Sequence, residues 1–98
     1  VVKNSNYRGI IFAKSGQGEA IAANRIKNVR STVCHGGKNI KKVLKLSREH
    51  NNSNVLSLGT EFLSKSKMKK AIKIWLETNF SEDKRHIRRL KKIERLSR

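Results

Sequence analysis

The sequence predicts a three-layer α/β/α domain on a parallel sheet, and two observations predict it. Three short apolar, β-branched runs, residues 8–13, 29–35 and 54–59, each close on a glycine or a glycine-bearing loop. After each run, apolar residues recur at helical spacing. Strands and helices in alternation need right-handed crossovers, which make the strands parallel and put helices on both faces. In such Rossmann-like sheets, ligands meet the C-terminal ends of the strands, where loop N–H groups and helix N-termini converge.

Residues 1–7 are polar and read as a lead-in. Arg8-Gly9-Ile10-Ile11-Phe12-Ala13 has the content of a buried strand. Ser15-Gly16-Gln17-Gly18-Glu19 is its C-terminal loop, and Ile21-Ala22-Ala23 with Ile26 predicts a helix from about Gly18 to Lys27. Val29 to His35 forms a second strand ending at the Gly36-Gly37 turn. Ile40, Val43, Leu44 and Ser47 mark the inner face of a helix ending near His50, with lysines on its outer face. Asn51-Asn52-Ser53 is a turn cluster, and Asn54 to Gly59 is the third strand.

Met68, Ala71, Ile72, Trp75 and Leu76 share one face of a helix from about Lys65 to Thr78, which places Trp75 in the core. Ser81-Glu82-Asp83 supplies an N-cap and two acids to a last helix. Its Ile87, Leu90, Ile93 and Leu96 give only a narrow apolar stripe, so this helix is expected to lie across a partner subunit. No repeat or low-complexity linker interrupts residues 1–98, which read as one partial domain.

Composition narrows the function classes. Three βα units are few for a complete α/β domain. The chain begins with Val and enters a strand without a signal peptide or transmembrane stretch, so it is expected to be a piece of a longer domain. A net charge of +17 ordinarily points to nucleic acid or an anionic surface. Here the excess is mainly lysine, spread over several segments alongside many Asn and Ile, as A/T-rich codons would produce. Phe12, Phe62, Trp75 and Phe80 mostly sit in strand or amphipathic-helix positions, not on a stacking platform. These features argue against nucleic acid as the partner. The lone Cys34 excludes an internal disulfide, suits a reducing cytoplasm and reads as a buried thiol. No Cys/His spacing suits zinc, so neither metal nor cofactor is expected.

The chemistry lies in the first loop. Glycines allow close approach of an anion, Ser15 adds a hydroxyl, and Glu19 holds a carboxylate whose charged form a helix N-terminus favours. Glu19 is therefore a candidate general base. On the residues alone, the favoured readings are plainer: this loop is a strand-to-helix turn, His50 a cation at a helix C-terminus, and RHIRRLKK a solvated basic helix.

The segments SGQGE-x-IAANR, VRSTVCH, SREHNNSNVLSLG and RHIRR together resemble the ribose-5-phosphate isomerase type B family, which includes the subunits of galactose-6-phosphate isomerase. The likeness runs from about residue 8 to residue 95. It implies a five-stranded sheet in the order 2-1-3-5-4, of which this chain holds the last three strands. It also implies an aldose–ketose isomerase of a sugar phosphate, ribose 5-phosphate to ribulose 5-phosphate, acting as a homodimer or tetramer with shared active sites.

By this resemblance Glu19 is the base and Ser15, with the Gly16 and Gly18 amides, forms the oxyanion cradle. His50 and Asn51 reach a neighbouring subunit's sugar for binding and ring opening, and Arg85 and Arg89 offer a phosphate site, also across the dimer. His86 and Arg88 lie beside those arginines. Three departures accompany the match. The family's Asp-His loop on an earlier strand has no counterpart, His35-Gly36-Gly37-Lys38 is longer than the usual connection, and Leu58-Gly59-Thr60-Glu61 places a carboxylate where members often carry arginine, whereas Ala13, where the commoner form has its catalytic cysteine, is no departure, because members with the S-G-x-G-E loop use the glutamate instead. The 98-residue chain alone is therefore expected to be inactive. The alternative is a non-catalytic remnant acting as a basic interaction module.

Overall fold

The computed structural model describes residues 2–96. Its elements are β1 (Gly9–Ala13), α1 (Gln17–Asn24), β2 (Ser31–Cys34), α2 (Ile40–Glu49), β3 (Val55–Gly59), α3 (Lys65–Glu77) and α4 (Lys84–Leu96). The three strands are parallel in the order β1-β3-β2, with Gly9 and Ser31 both level with Val55. That is the order of the last three strands in a 2-1-3-5-4 sheet.

The β1-to-β2 connection passes over β3 and the β2-to-β3 connection returns, so right-handed crossovers put α1 and α2 on opposite faces. α3 packs against α2. Between that pair and the sheet lies the core, Cys34, Leu44, Leu56, Leu58, Leu63, Ala71 and Trp75. The α1 layer is thin, because Ala20 is the buried residue of that helix while Ile21 and Ile26 stay exposed. α4 adds no layer to the sheet. It rests on turns, stacking His86 on His50 near its start and accepting the Asn28 N–H on Glu94 Oε2 at 3.2 Å near its end.

Several boundaries moved, each for a local reason. α1 begins at Gln17 because Gly16, at φ 78°, supplies the left-handed turn ahead of it. It stops at Asn24, whose amide exchanges two hydrogen bonds with Ser31. Val29 and Arg30 therefore belong to a turn, not to β2: Asn28 takes φ 68°, and Asn54 Oδ1 accepts the Arg30 N–H at 2.7 Å. Val43 and Leu76, expected on inner faces, are half-exposed, and Arg48 is buried instead at 4% exposure.

Arg48 belongs to a polar brace at the N-terminal edge of the sheet. Its Nε donates to Thr78 O at 2.9 Å, and its Nη1 donates to Asn52 Oδ1 and to Ser53 O. Ser53 Oγ in turn accepts the Trp75 indole N–H at 2.8 Å and meets Ser47 Oγ at 3.1 Å. Arg8 donates to Trp75 O and Leu76 O, both at 3.0 Å, with its guanidinium 5.5 Å from the Trp75 ring centre. Two guanidinium groups thus cap the C-terminus of α3, where the helix dipole favours positive charge. Burial, then the nearby Arg8 and Arg30 charges, push the Arg48 guanidinium down to about 10, still protonated at neutral pH.

Two expectations follow. Gly9 N–H donates to Asn54 O, so strand alternation turns the Ile11 amide toward β3 and the Ile10 and Phe12 amides toward the open edge of β1. Phe12, 61% exposed, lies on that edge. Hydrogen exchange should be faster at Ile10 and Phe12 than at Ile11, and equal protection at all three would mean that another strand covers the edge. Replacing Arg48 with Met leaves the carbonyls of Ser53 and Thr78 without their donors. The urea midpoint should fall by the equivalent of ~1–3 kcal/mol, whereas an unchanged midpoint would remove the brace from the account.

Candidate functional site

At the C-terminal edge of the sheet, the loop between β1 and α1 is strapped to the end of β3. Thr60 N–H donates to Ala13 O at 2.7 Å, Glu61 N–H donates to Lys14 O at 3.0 Å, and the Ser57 hydroxyl donates to Gly16 O at 2.7 Å. The approach is close enough to exclude side chains. A Cβ on Gly59 would come within 2.7 Å of Ser15 O, and one on Gly16 within 3.1 Å of Ser57 Oγ. The glycines thus seat the loop on the strand ends.

This seating leaves donors free. Ser15 Oγ accepts the Gln17 N–H at 3.3 Å, which keeps the hydroxyl proton available, and Ala20 N–H supplies the first turn's bond to Gly16 O. The N–H groups of Gly16, Gly18 and Glu19 meet no acceptor among the described residues. Around Gly18 nothing stands within 4 Å of where a Cβ would project, so the first turn of α1 is open on that side. Glu19 lies exposed in the first turn of α1, without an ion pair among the described residues. Ser15, Gly16, Gly18 and Glu19 thus share one loop and the first turn of α1. Glu61 adds a second carboxylate nearby, its backbone bonded to that of Lys14.

The other predicted residues gather at the opposite edge. α2 runs back along the sheet, so its C-terminus delivers His50 and Asn51 to the N-terminal ends of the strands. Both are exposed. The His50 N–H closes the helix on Leu46 O, and its ring stacks on His86, centre to centre at 4.2 Å and 28° from parallel. Arg85 and Arg89 lie one turn apart on α4 and are exposed. Arg85 holds Asp83 through Nε and Nη2, each at 3.3 Å, and these bonds draw the Asp83 carboxyl below its usual range. Arg89 has no ion pair among the described residues.

A five-residue strand is about 17 Å long, so the two groups are a full sheet length apart within one chain. One chain cannot close them around a single small molecule. His86 is the residue whose part the sequence left undefined. Placed opposite the solvent side of α4, it is in register with Leu90 and Ile93, which was the available signal for its burial.

Two broader features carry no predicted residue. A trough of about 440 Å³ runs along the outer side of α2, lined by Lys38, Lys41, Lys42 and Lys45 among others, and contains neither Glu19 nor His50. Cys34 is buried, and desolvation pushes its thiol up, which keeps it protonated and unreactive. Among the described residues no three His, Cys, Asp or Glu side chains cluster as a metal site, and no helix is long and apolar enough to cross a membrane.

The sequence pattern of the Ribose/Galactose Isomerase family matches residues 1–93. Ribose-5-phosphate isomerase B of Escherichia coli is 33% identical over 85 residues, covering 87% of this chain and 54% of that protein. D-erythrulose-4-phosphate isomerase of Pectobacterium atrosepticum is 30% identical over 73 residues, covering 74% of this chain and 45% of that protein. The crystal structure of ribose-5-phosphate isomerase B from Mycoplasma genitalium with bound ribulose 5-phosphate superposes with a TM-score of 0.80 at 35% identity, over 90% of this chain and 55% of that one. The chain thus spans about half the length of the relatives it matches. The match over nearly the whole chain, with the parallel β1-β3-β2 order and the glycine-seated loop, makes this chain a member of the ribose/galactose isomerase family.

Proposed function

We propose that this chain supplies the base and the subunit-bridging residues of an aldose–ketose isomerase acting on a sugar phosphate, with ribose 5-phosphate and ribulose 5-phosphate as the substrate pair. The observation that carries the proposal is the loop at the end of β1, where a solvent-facing Glu19 stands beside free N–H donors and the Ser15 hydroxyl. The bound ribulose 5-phosphate in the Mycoplasma genitalium relative supports the choice of substrate.

In this reading the open-chain aldose presents its C2 proton to the Glu19 carboxylate. The carbonyl oxygen at C1 takes up the electron pair as the C2–H bond breaks, and the Gly16 and Gly18 amides with Ser15 hold the resulting enediolate oxygen. Proton transfer between the two oxygens and return of a proton from Glu19 to C1 complete the ketose, so no atom is gained or lost.

The remaining roles belong to a neighbouring subunit. His50 passes a proton to the ring oxygen while the anomeric hydroxyl gives its own proton to water, which opens the ring to the C1 aldehyde, Asn51 binds a sugar hydroxyl, and Arg85 and Arg89 bind the phosphate. Arg85 would exchange Asp83 for the phosphate, and Arg89, with no competing partner among the described residues, would engage it directly. The separation of about one sheet length between the two groups supports a site shared between subunits in a dimer or tetramer.

A second reading, a basic interaction module without turnover, draws on the lysines along the outer side of α2 and the cations Lys84, Arg88, Lys91, Lys92 and Arg95 along α4. One variant separates the two. In the catalytically competent protein that contains this chain, Glu19→Gln keeps the shape of the loop and cannot abstract a proton. Its kcat should fall on the order of 10² to 10⁴-fold with KM little changed. Near-normal turnover would exclude Glu19 as the base, and no turnover in the parent protein would leave the module reading.

A further inference from the structure

The contact between His50 and His86 closes a small circuit that the proposed chemistry does not require. Ser81 N–H donates to Glu49 O at 3.1 Å, tying the segment before α4 to the end of α2. Ser81 Oγ accepts the Asp83 N–H at 3.2 Å and meets His86 Nδ1 at 3.0 Å. His86, 7% exposed, then stacks on His50, the residue next to Glu49. Four side chains or backbone groups thus form a ring of contacts from Glu49 through Ser81 and His86 to His50.

Within that ring, His50 is the member with a free end. Its imidazole makes no hydrogen bond among the described residues, and the His86 face is the contact that sets its plane. A hydrogen bond would orient the ring by occupying one nitrogen. A stack orients it and leaves both nitrogens open to a ligand. We propose that His86 is a positioning residue for His50, a buried imidazole anchored by Ser81 on which the His50 ring is laid so that both of its nitrogens point toward a neighbouring subunit's sugar. The sugar's place in this statement rests on the function proposed above, whereas the stack does not.

The charges around the pair fit a neutral His86. Burial lowers its affinity for a proton, the neighbouring His50 lowers it further, and Arg85 and Arg89 add to this, while Asp83 alone opposes them. The group binds a proton more weakly folded than unfolded, so its contribution to stability is full at neutral pH and declines as the pH falls below about 6.5, the ordinary histidine value. The stack itself should loosen only at lower pH, once the folded His86 takes up a proton.

The test uses nuclear magnetic resonance of the His50 ring protons together with steady-state kinetics of the competent protein. In the parent, the His86 ring current should displace those protons upfield. His86→Ala should abolish the displacement, and His86→Phe, which restores an aromatic face, should retain it. With loss of orientation, kcat should fall by up to about 10²-fold in His86→Ala with KM unchanged, and His86→Phe should recover most of it. An undisplaced His50 ring in the parent overturns the proposal whatever the enzyme does. Equal losses of kcat in His86→Ala and His86→Phe overturn it too, because an aromatic face would then not be what matters. A His50→Ala protein with full turnover overturns the sugar role of His50, and the positioning role with it, while leaving the measured stack in place.

Discussion

The rest of the structure depends on one buried guanidinium. Arg48 lies inside the domain without a carboxylate partner among the described residues, a placement that would be costly if its donors were idle. They are not idle, since the end of α3 and the 52–53 turn present carbonyl and amide oxygens at hydrogen-bonding distance. The C-terminus of α3 supplies partial negative charge where an acid would otherwise be needed, and Arg8 exploits the same end. Trp75 fills the space beneath and gives its own N–H to Ser53. Helix α2, helix α3 and the entry to β3 are thus joined at one polar point under the core.

That joint decides which residues of the 48–54 segment are free. Arg48, Asn52, Ser53 and Asn54 are spent on structure, with Asn52 in the left-handed region at φ 46° to turn the chain. His50 and Asn51, between them, project outward. At the far edge, Gly59 and Gly16 perform the matching task by letting the loop after β1 lie on the end of β3, where a Cβ on Gly59 would come within 2.7 Å of Ser15 O. A rigid sheet therefore carries the two groups of candidate residues at opposite edges, about one sheet length apart within one chain.

Much of this was legible beforehand. The alternation of apolar runs and helical spacing fixed the element types, and the helix carrying Trp75 was marked by its apolar periodicity. Strand order was not, because crossover handedness constrains faces but leaves the order open, and it followed from the family resemblance instead. Arg48 was hidden for a different reason. An arginine at the end of a basic helix looks solvated, and its burial depends on carbonyls that α3 contributes from thirty residues away. The lead was positional: Arg48 sits four residues after Leu44, on the inner face, just ahead of a turn rich in side-chain oxygens. Val43 misled because it neighbours that face without belonging to it. The Arg85–Asp83 pair was likewise obscure, since a helix-start acid reads as a cap and not as the partner of an arginine two residues on.

The central claim is that the site is completed only between subunits, with the Glu19 loop from one and the Arg85 and Arg89 helix from another. Subunit mixing tests it most directly. Glu19→Gln protein and a doubly substituted Arg85→Ala, Arg89→Ala protein, each inactive alone, are allowed to exchange subunits, and exchange is verified by mass. The account predicts that activity returns, because each heterodimer regains one site with an intact base and an intact phosphate helix. No recovery after verified exchange would contradict it, placing the arginines in the service of their own subunit.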